Sequence, residues 1–284
     1  MKYGIREICD VVLKAKSEIT VGNKSFAKGE PVIYFDSLKT STMEGAATTV
    51  YAQGGRGNAR LIAWEGERTV TFTMEDALIS EMGLAVLTGA GIIDGTKQAI
   101  TVHSTAKAAV TNGAATLTID ETIATGNDAT AYAIAMDEYD NVLETVIATV
   151  AGKKLTYTSA ITDTTTKAKV KSVLFDFYVT KSSGKQIEIT ADKFAGNYYL
   201  EASTLFRSAD GVDRPAEFII PNCKIQSNFT FTMASSGDPS TFTFTMDAFP
   251  DYTKFDYTKK VLSVIQVIED EAAPLSDKDE TEGN

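Results

Sequence analysis

The sequence predicts a mainly β protein: a β-sandwich or partial barrel with one flanking helix, and a small all-β module inserted into it. Three observations predict this class. Threonine, which is favoured in strands, is very abundant. Apolar and polar residues alternate strictly in several short runs, as in half-buried strands. Residues typical of turns (Gly, Asn, Asp and Pro) separate these runs at short intervals along the chain.

Three runs of nearly the same sequence are the clearest strand candidates: TVTFTM at residues 69–74, NFTFTM at 228–233 and TFTFTM at 241–246. In each run the apolar side chains share one face and the polar ones, mostly Thr, share the other. The connection ASSGDPS at residues 234–240 contains Gly, Asp and Pro. We therefore expect the last two runs to form a hairpin with a buried Phe/Met face.

The other elements follow from the same kind of pattern. One helix is expected after a capping-box-like pair, Thr73 and Asp76, and it should end at Gly89. Residues 41–58 are expected to form a long loop, because they contain four glycines and little that could build a core. Further strands are expected at residues 19–21, 31–39, 198–206, 216–220 and 260–268, with a turn region at 22–29.

The middle of the chain changes in composition, since residues 95–171 are rich in Ala and Thr and poor in aromatics. We expect this segment to be an inserted β module on the outside of a discontinuous tube domain formed by residues 1–94 and 172–268. The alternative, that its strands complete the parent sandwich, stays open. Residues 269–284 carry seven acids and one Lys, a net charge of −6, and are expected to form a disordered acidic tail.

Composition and motifs exclude several functional classes. The net charge of −11 argues against a protein that binds nucleic acid through its phosphates. One histidine and two cysteines give no pattern for a metal site, so no metal or cofactor is expected. The glycine-rich residues 54–57 lack the Lys-Ser/Thr ending of a P-loop. We predict that the chain is not an enzyme, although a carboxylate pair among its 38 acids remains the third alternative.

The sequence contains no apolar stretch long enough to span a bilayer, and its charged first ten residues are unlike a secretory signal. No membrane partner is therefore expected. The repeated two-faced runs have two interpretations that pattern alone weighs about evenly. They are either ordinary sandwich strands, or strands of a wall whose edges pair with neighbouring copies.

Four longer segments of the sequence favour the second interpretation. The segments YFDSLKTSTMEGAA (34–47), TVYAQGGRGNAR (49–60), LIAWEGERTVTFTMEDALIS (61–80) and PNCKIQSNFTFTMASSGDPSTFTFTMDAF (221–249) resemble tail tube proteins of long-tailed bacteriophages, which are related to the type VI secretion tube protein. The resemblance covers the two outer parts of the chain and leaves the central module uncovered. It implies a structural virion protein whose hexameric rings stack into the hollow tail tube that conducts DNA to the host.

The resemblance also implies partners and a location. The chain would assemble with itself in the host cytoplasm and reside in the virion tail, with tape-measure protein and DNA in the lumen. A baseplate and a tail terminator would close the ends, and a sheath would surround the tube if the tail is contractile. The alternative function is another phage structural or surface-decoration protein, such as a tail terminator, a capsid decoration or an adhesin-like β protein. The sequence identifies neither the tail type nor the host.

Two groups of residues follow as site predictions. A conduit for DNA should not bind phosphates, so the cation-free Thr faces of the predicted hairpin are expected to line the lumen. These residues are Thr230, Thr232, Thr241, Thr243 and Thr245. The predicted long loop is expected to contact a neighbouring subunit or the next ring through Gly45, Tyr51, Gln53, Gly54, Gly55, Arg56 and Gly57.

Overall fold

A computed structural model describes residues 2–5, 7–126, 129–233, 235–236 and 240–269. Strands account for 57% of the structure and helices for 5%, which confirms the predicted mainly β class. The sheets are antiparallel, and none closes into a barrel within the described residues. The predicted acidic tail lies outside the described residues from Asp270 onward, as do parts of the connection predicted at 234–240.

The elements run in this order. The chain begins with β1 (Tyr3–Ile5), β2 (Asp10–Ala15), β3 (Ile19–Val21), β4 (Lys24–Phe26), β5 (Pro31–Phe35), β6 (Leu38–Gly54), β7 (Ala59–Asp76), α1 (Glu81–Thr88) and β8 (Gly91–Asp94). It continues with β9 (Ile100–Ala109), β10 (Ala114–Thr118), β11 (Thr122–Ile123), β12 (Tyr132–Met136), β13 (Val142–Ile147), β14 (Thr149–Ala151), β15 (Lys154–Thr158), α2 (Thr164–Lys169) and β16 (Ser172–Lys181). It closes with β17 (Lys185–Glu188), β18 (Asn197–Ser208), β19 (Asp213–Ile225), β20 (Phe242–Ala248) and β21 (Val264–Val267).

The chain divides into two compact units. The first comprises Met1–Ile92 and Ile187–Asn284, and the second comprises Ile93–Gln186. The sequence placed the return to the first unit after Lys171, but β16 belongs to the second unit, so the return follows Gln186. The reason is pairing: β16 is the strand to which β9, β11 and β12 all bond.

A nine-stranded sheet forms the first unit. Its main path runs β5-β2-β18-β19-β20-β7-β6, with β1 added to β18 and β21 added to β19. The sheet folds back on itself, because Phe35 of β5 and Phe244 of β20 meet edge to face at 4.9 Å although three strands lie between theirs in the path. The two halves therefore share one core, as in a sandwich.

Helix α1 covers part of this core with Ala85, Val86 and Leu87. It ends at Gly89 as predicted, where a φ of 73° gives the left-handed cap that glycine allows. The predicted start is wrong. The side chain of Ser80 caps the helix by accepting from the Gly83 amide, whereas Thr73 and Asp76 belong to β7.

Two of the three Phe/Thr runs are strands with the predicted faces. In β20, Phe242, Phe244 and Met246 are buried while Thr243 is exposed. In β7, the buried residues are Phe72 and Met74. The strands pair with each other, with Met74 opposite Phe244 and Phe72 opposite Met246, so their apolar faces join in one core layer.

The second unit has its own hydrophobic core between two sheets. One sheet contains β9, β11, β12, β13 and β16, and the other contains β10, β14 and β15. Phe175 and Val173 of the first sheet belong to the same buried cluster as Leu155 and Tyr157 of the second. The hydroxyl of the buried Tyr157 donates to Glu144 at 2.7 Å, which satisfies its polar end. Two further pairs of short strands contribute to the core of the first unit: β3 pairs with β4, and β8 pairs with β17.

Candidate assembly surfaces

The outer face of three adjacent strands forms the first candidate surface. Strand register places Thr245 of β20 opposite Thr73 of β7, which in turn lies opposite Thr42 of β6. Directly opposed residues of antiparallel strands share a face. We call this surface the threonine face; by the same register it contains Thr40, Thr42, Glu44, Thr71, Thr73, Glu75, Thr243, Thr245 and Asp247.

On these three strands the charged members of the threonine face are all acidic: Glu44, Glu75 and Asp247. One cation adjoins them, because the exposed Lys224 of β19 lies directly opposite Asp247. The other six members are threonines, and all nine side chains are exposed or half-buried. The Thr71 hydroxyl donates to Asp247 at 3.5 Å, and Gln226 donates to the same carboxylate at 3.0 Å. The face therefore combines neutral hydroxyls with carboxylates, a surface that repels phosphate groups.

The structure brings the predicted lumen residues together in one place. Thr230, Thr232, Thr241, Thr243 and Thr245 all line a single open cleft of about 300 Å³, together with Leu87, Asn228, Phe229 and Phe242. All of these lining residues are neutral. Thr243 and Thr245 belong to β20, and Thr241 directly precedes it.

The predicted hairpin of the second and third runs is wrong, because residues 228–233 form no strand. Strand β19 pairs with β20 up to Ile225 opposite Met246, and one further bond joins the Gln226 amide to the Thr245 carbonyl at 2.8 Å. Beyond that bond, the same edge of β20 pairs with no strand in the described part of the chain. The edge next to Phe242 and Thr243 is therefore open.

The apolar side chains of this unpaired run face solvent. Phe231 is 42% exposed and Met233 is 92% exposed, whereas the sequence predicted both to be buried. Phe231 stacks edge to face on Phe229 at 5.4 Å and on Phe242 at 5.3 Å. These rings form a small aromatic cluster at the rim of the core.

The second candidate surface is the segment that the sequence predicted to be a loop at residues 41–58. It is instead part of a hairpin in which β6 pairs with β7 over almost its whole length. Gly45, Tyr51, Gln53 and Gly54 lie in β6, and Gly55, Arg56 and Gly57 lie in its turn. Positive φ angles at Gly55 (77°) and Gly57 (89°) explain the glycines of this turn.

Only the base of this hairpin joins the larger sheet, because β20 pairs with residues 71–76 of β7 and no further. We call residues 45–69 the arm. Within the described residues, its two strands pair with each other alone, and nearly all of its side chains are exposed on both faces. The apolar Val50, Ile62 and Trp64 share one face, and Trp64 is 53% exposed. On the other face, Arg60 lies over the ring of Tyr51 at 4.1 Å.

Sequence reasoning missed the acidic members of the threonine face. Thr40, Thr42 and Glu44 do alternate in the sequence, but Thr42 and Glu44 fall in the segment 41–58 that was predicted to be a loop. Glu75 and Asp247 directly follow two of the Phe/Thr runs and continue their alternation. The alternation itself was therefore the available signal, and only the strand register shows that these residues share one face.

Other reactive groups give no competing site in the described part of the chain. Cys9 and Cys223 are buried, and burial raises the pKa of the Cys223 thiol to about 12. His103 lies on the surface of the second unit, where it contacts Asp176 at 2.9 Å. Among the described residues, no cluster of three or more His, Cys, Asp or Glu side chains could hold a metal ion. No helix in the same part of the chain could cross a membrane.

Comparisons with known proteins agree with a structural interpretation. No curated protein matches the chain. A family model, described as the YomU/Tube protein family, matches residues 4–261 and so covers most of both units. The chain belongs to the YomU/Tube protein family, a phage-derived family of tube-like proteins.

Proposed function

We propose that the chain is the subunit of a phage tail tube, in which hexameric rings stack into a hollow conduit for DNA ejection. The threonine face is the observation that carries this proposal. It extends over three strands, it is open to solvent, and its charges on those strands are carboxylates, with one lysine, Lys224, beside it opposite Asp247. Membership of the YomU/Tube protein family supports the same class of assembly.

The chemistry of this face suits the lining of a channel. Duplex DNA carries one negative charge for about every 1.7 Å of its axis, and each Lys or Arg facing it adds salt-dependent affinity. A lining of hydroxyls and carboxylates gives DNA little to bind, since the one lysine beside it, Lys224, lies directly opposite the carboxylate of Asp247. Tube subunits repeat around and along the channel, so inward cations that outnumbered the carboxylates of each subunit would create a dense basic lining. In this proposal the lumen holds the tape-measure protein before DNA passes.

The arm supplies the contact between copies. A two-stranded ribbon is marginal in water by itself, and a ribbon with two free edges is prone to pair with other strands. The arm also exposes Val50, Ile62 and Trp64 on one face. In this proposal it docks on a neighbouring subunit or on the next ring, with the turn residues Gly55, Arg56 and Gly57 at its tip.

The second unit then faces the outside of the tube, since an added unit directed inwards would block the channel. Its own core makes it independent of the channel wall. Baseplate and terminator proteins would contact the ends of the tube, and a sheath, in a contractile tail, would contact its outer surface.

Negative-stain microscopy of the purified protein tests the assembly. We expect six-fold rings or tubes with a central channel. Discrete monomers at high concentration would contradict the proposal and favour a decoration, terminator or adhesin-like protein of the same family.

A charge substitution tests the lumen. Tubes of a Thr42→Lys/Thr243→Lys variant should retain short duplex DNA at low salt and release it at high salt, because two cations per subunit would then line the channel. Co-sedimentation of labelled DNA with tubes measures this retention. Thr101→Lys, at an exposed position of β9 in the second unit, is the matched control. Equal DNA retention by both variants would show that the threonine face does not line the channel.

A further inference from the structure

A cleft in the first unit combines lysines with tyrosine rings. It has a volume of about 260 Å³, and its lining includes Lys16, Lys28, Lys254, Tyr199, Tyr252 and Tyr257. Lys254 Nζ lies 4.6 Å from the centre of the Tyr199 ring, and Lys260 Nζ lies 5.5 Å from that of Tyr252. We call this feature the lysine–tyrosine cleft.

The segment that forms one wall of the cleft has a fixed conformation. Asp251 and Val261 exchange two backbone hydrogen bonds of 3.1 and 2.9 Å, which close residues 251–261 into a loop. Inside the loop the Asp256 amide donates to the Thr253 hydroxyl at 3.0 Å. The Lys254 amide donates to the Tyr199 hydroxyl at 3.4 Å, which joins the loop to β18. The lysines are therefore displayed by a preformed surface rather than by a loose loop.

The cleft and its rim are positively charged in a chain of net charge −11. Lys16 pairs with Asp251, and Lys14 and Lys254 both lie beside Glu201. Lys28 and Lys259 have no ion-pair partner among the described residues. Among the residues that line the cleft, three lysines (Lys16, Lys28 and Lys254) face one acid (Asp251), a local charge of 3 − 1 = +2.

Exposed aromatic rings border the same surface. Tyr257 is 72% exposed and Phe255 is 57% exposed, although both belong to the closed loop. Such rings present an apolar body and, in tyrosine, a polar tip, which suits contact with an irregular peptide. The surface therefore offers both charge and apolar area to a partner of opposite charge.

The chain itself contains a segment of the required chemistry. Residues 270–284 carry six acids (Asp270, Glu271, Asp277, Asp279, Glu280 and Glu282) and one lysine, a net charge of −5, with Leu275 in between. The segment starts from a fixed point, because Arg214 donates to the carbonyl of Glu269 and Tyr3 donates to its carboxylate.

The distance between start and cleft is within reach. The Ile268 amide donates to the carbonyl of Pro215, and Pro215 lies opposite Leu205 of β18. Tyr199, which lines the cleft, lies six residues before Leu205 on the same strand, a distance of about 20 Å. Fifteen residues can span up to about 50 Å. A tether of this length gives a high effective concentration of the acidic segment at its own cleft.

We propose that the acidic segment 270–284 binds the lysine–tyrosine cleft of the same chain. The contact is electrostatic, with the carboxylates beside the lysines and Leu275 against the exposed rings. It does not depend on tube formation. It also predicts that an acidic surface of another molecule competes with the segment for the cleft.

Zero-length carbodiimide cross-linking of the full-length, unassembled protein tests the contact, because this reagent joins only carboxylates and lysines that touch. An equal mixture of unlabelled and ¹⁵N-labelled protein separates contacts within a chain from contacts between chains. Mass spectrometry should find cross-links from the segment to Lys28, Lys254, Lys259 or Lys260 in isotopically pure pairs. Raising the salt to 0.5 M should lower their yield about tenfold, since exposed charges are then screened.

A charge-reversal pair sharpens the result. Lys28→Glu/Lys259→Glu changes one lysine of the cleft lining and one of the closed loop, neither of which forms a salt bridge with a described acid, so the fold should survive, and cross-links to the remaining cleft lysines should fall about tenfold. Lys39→Glu/Lys193→Glu, at exposed positions outside the cleft, should leave them unchanged. Isotopically mixed cross-links, an even spread over all surface lysines, or no cross-links in the wild-type protein would each overturn the proposal. Microscopy of the same sample reports on tube assembly separately.

Discussion

Two regions of the first unit carry almost the same six residues and have different structures. The runs TVTFTM and TFTFTM are paired strands, β7 and β20, whereas NFTFTM at residues 228–233 forms no strand. Phe244 of β20 is 2% exposed, while Phe231, which occupies the same place in its run, is 42% exposed. The alternating pattern is common to all three runs, so it does not decide the structure.

The difference lies in what each run packs against. Phe244 contacts Phe35 from the opposite half of the folded sheet, and its strand bonds to β7. Phe231 contacts only the rim of that core, through Phe229 and Phe242. An amphipathic strand is stable when its apolar face finds a layer to cover it. Within one chain, two of the three runs, those of β7 and β20, are enough to complete this layer, and the third run finds no place in it.

The arm shows the same contrast inside one hairpin. Residues 71–76 of β7 pair with β20 and bury Phe72 and Met74, whereas Trp64 and Ile62 of the same strand are exposed. Both the arm and the run 228–233 expose apolar side chains beside unpaired strand edges, among the described residues. We infer that a neighbouring copy completes both regions: the arm in the docking proposed above, and the run 228–233 in a second contact of the same assembly.

The largest expected effect is a difference in stability between substitutions at the two equivalent phenylalanines, Phe244 and Phe231. Phe244→Asp should unfold the first unit, because an unpaired buried charge costs several kcal/mol, on the order of 4 or more. Phe231→Asp should leave the fold intact within about 1 kcal/mol and should instead prevent assembly. Urea unfolding followed by circular dichroism measures the first effect, and microscopy measures the second. Equal destabilisation by both substitutions would show that the run 228–233 belongs to the core.

The sequence was sufficient to predict the elements that cover their own core. Alternation identified residues 69–74 and 241–246 as strands and assigned their buried faces correctly. It also identified β3 and the strands β18 and β19, whose ends it placed too early or too late. In these segments local pattern and tertiary burial agree, so a single sequence carries the information.

The errors occur where a distant partner determines the structure. The sequence predicted a loop at residues 41–58 because both faces of the arm are exposed, so apolar and polar residues do not alternate there. Two register shifts, after Ala47 and Ala52, interrupt the pattern further. Its strand conformation comes from pairing with residues 59–69, which no local pattern in 41–58 reveals. The helix start was misplaced because Thr73 and Asp76 match a capping box, yet pairing with β20 keeps both in a strand.

The next effect concerns the arm. Replacing residues 52–62 by Asn-Gly keeps Tyr51 opposite Ala63 and closes a shorter hairpin with a favoured turn. Because the removed side chains lie outside the core, the free energy of unfolding should change by less than about 1 kcal/mol. Tube or ring assembly should be lost. Arg56→Ala, which alters only the turn, is the control for the procedure and should assemble normally if the arm docks through its apolar face.

Normal assembly of the shortened variant would contradict the role of the arm. Loss of stability beyond about 1 kcal/mol would instead show that the arm supports the fold of its own chain. The two results are distinguishable because unfolding is measured on the unassembled protein.

The smallest effect on stability is expected when the second unit is removed, since the first unit owes its core to its own strands. Gly95 and Gly184 are suitable end points for this deletion, because they are adjacent in space: the Gly95 amide donates to the Gly184 carbonyl at 2.9 Å. Joining these two residues through a short Gly/Ser linker keeps β8 and β17 and removes residues 96–183. The first unit should then unfold at nearly the same urea concentration, and its tubes should keep their inner diameter while their wall becomes thinner. Insoluble protein would show that the second unit completes the parent sandwich, and tubes with a wider channel would show that it faces the lumen.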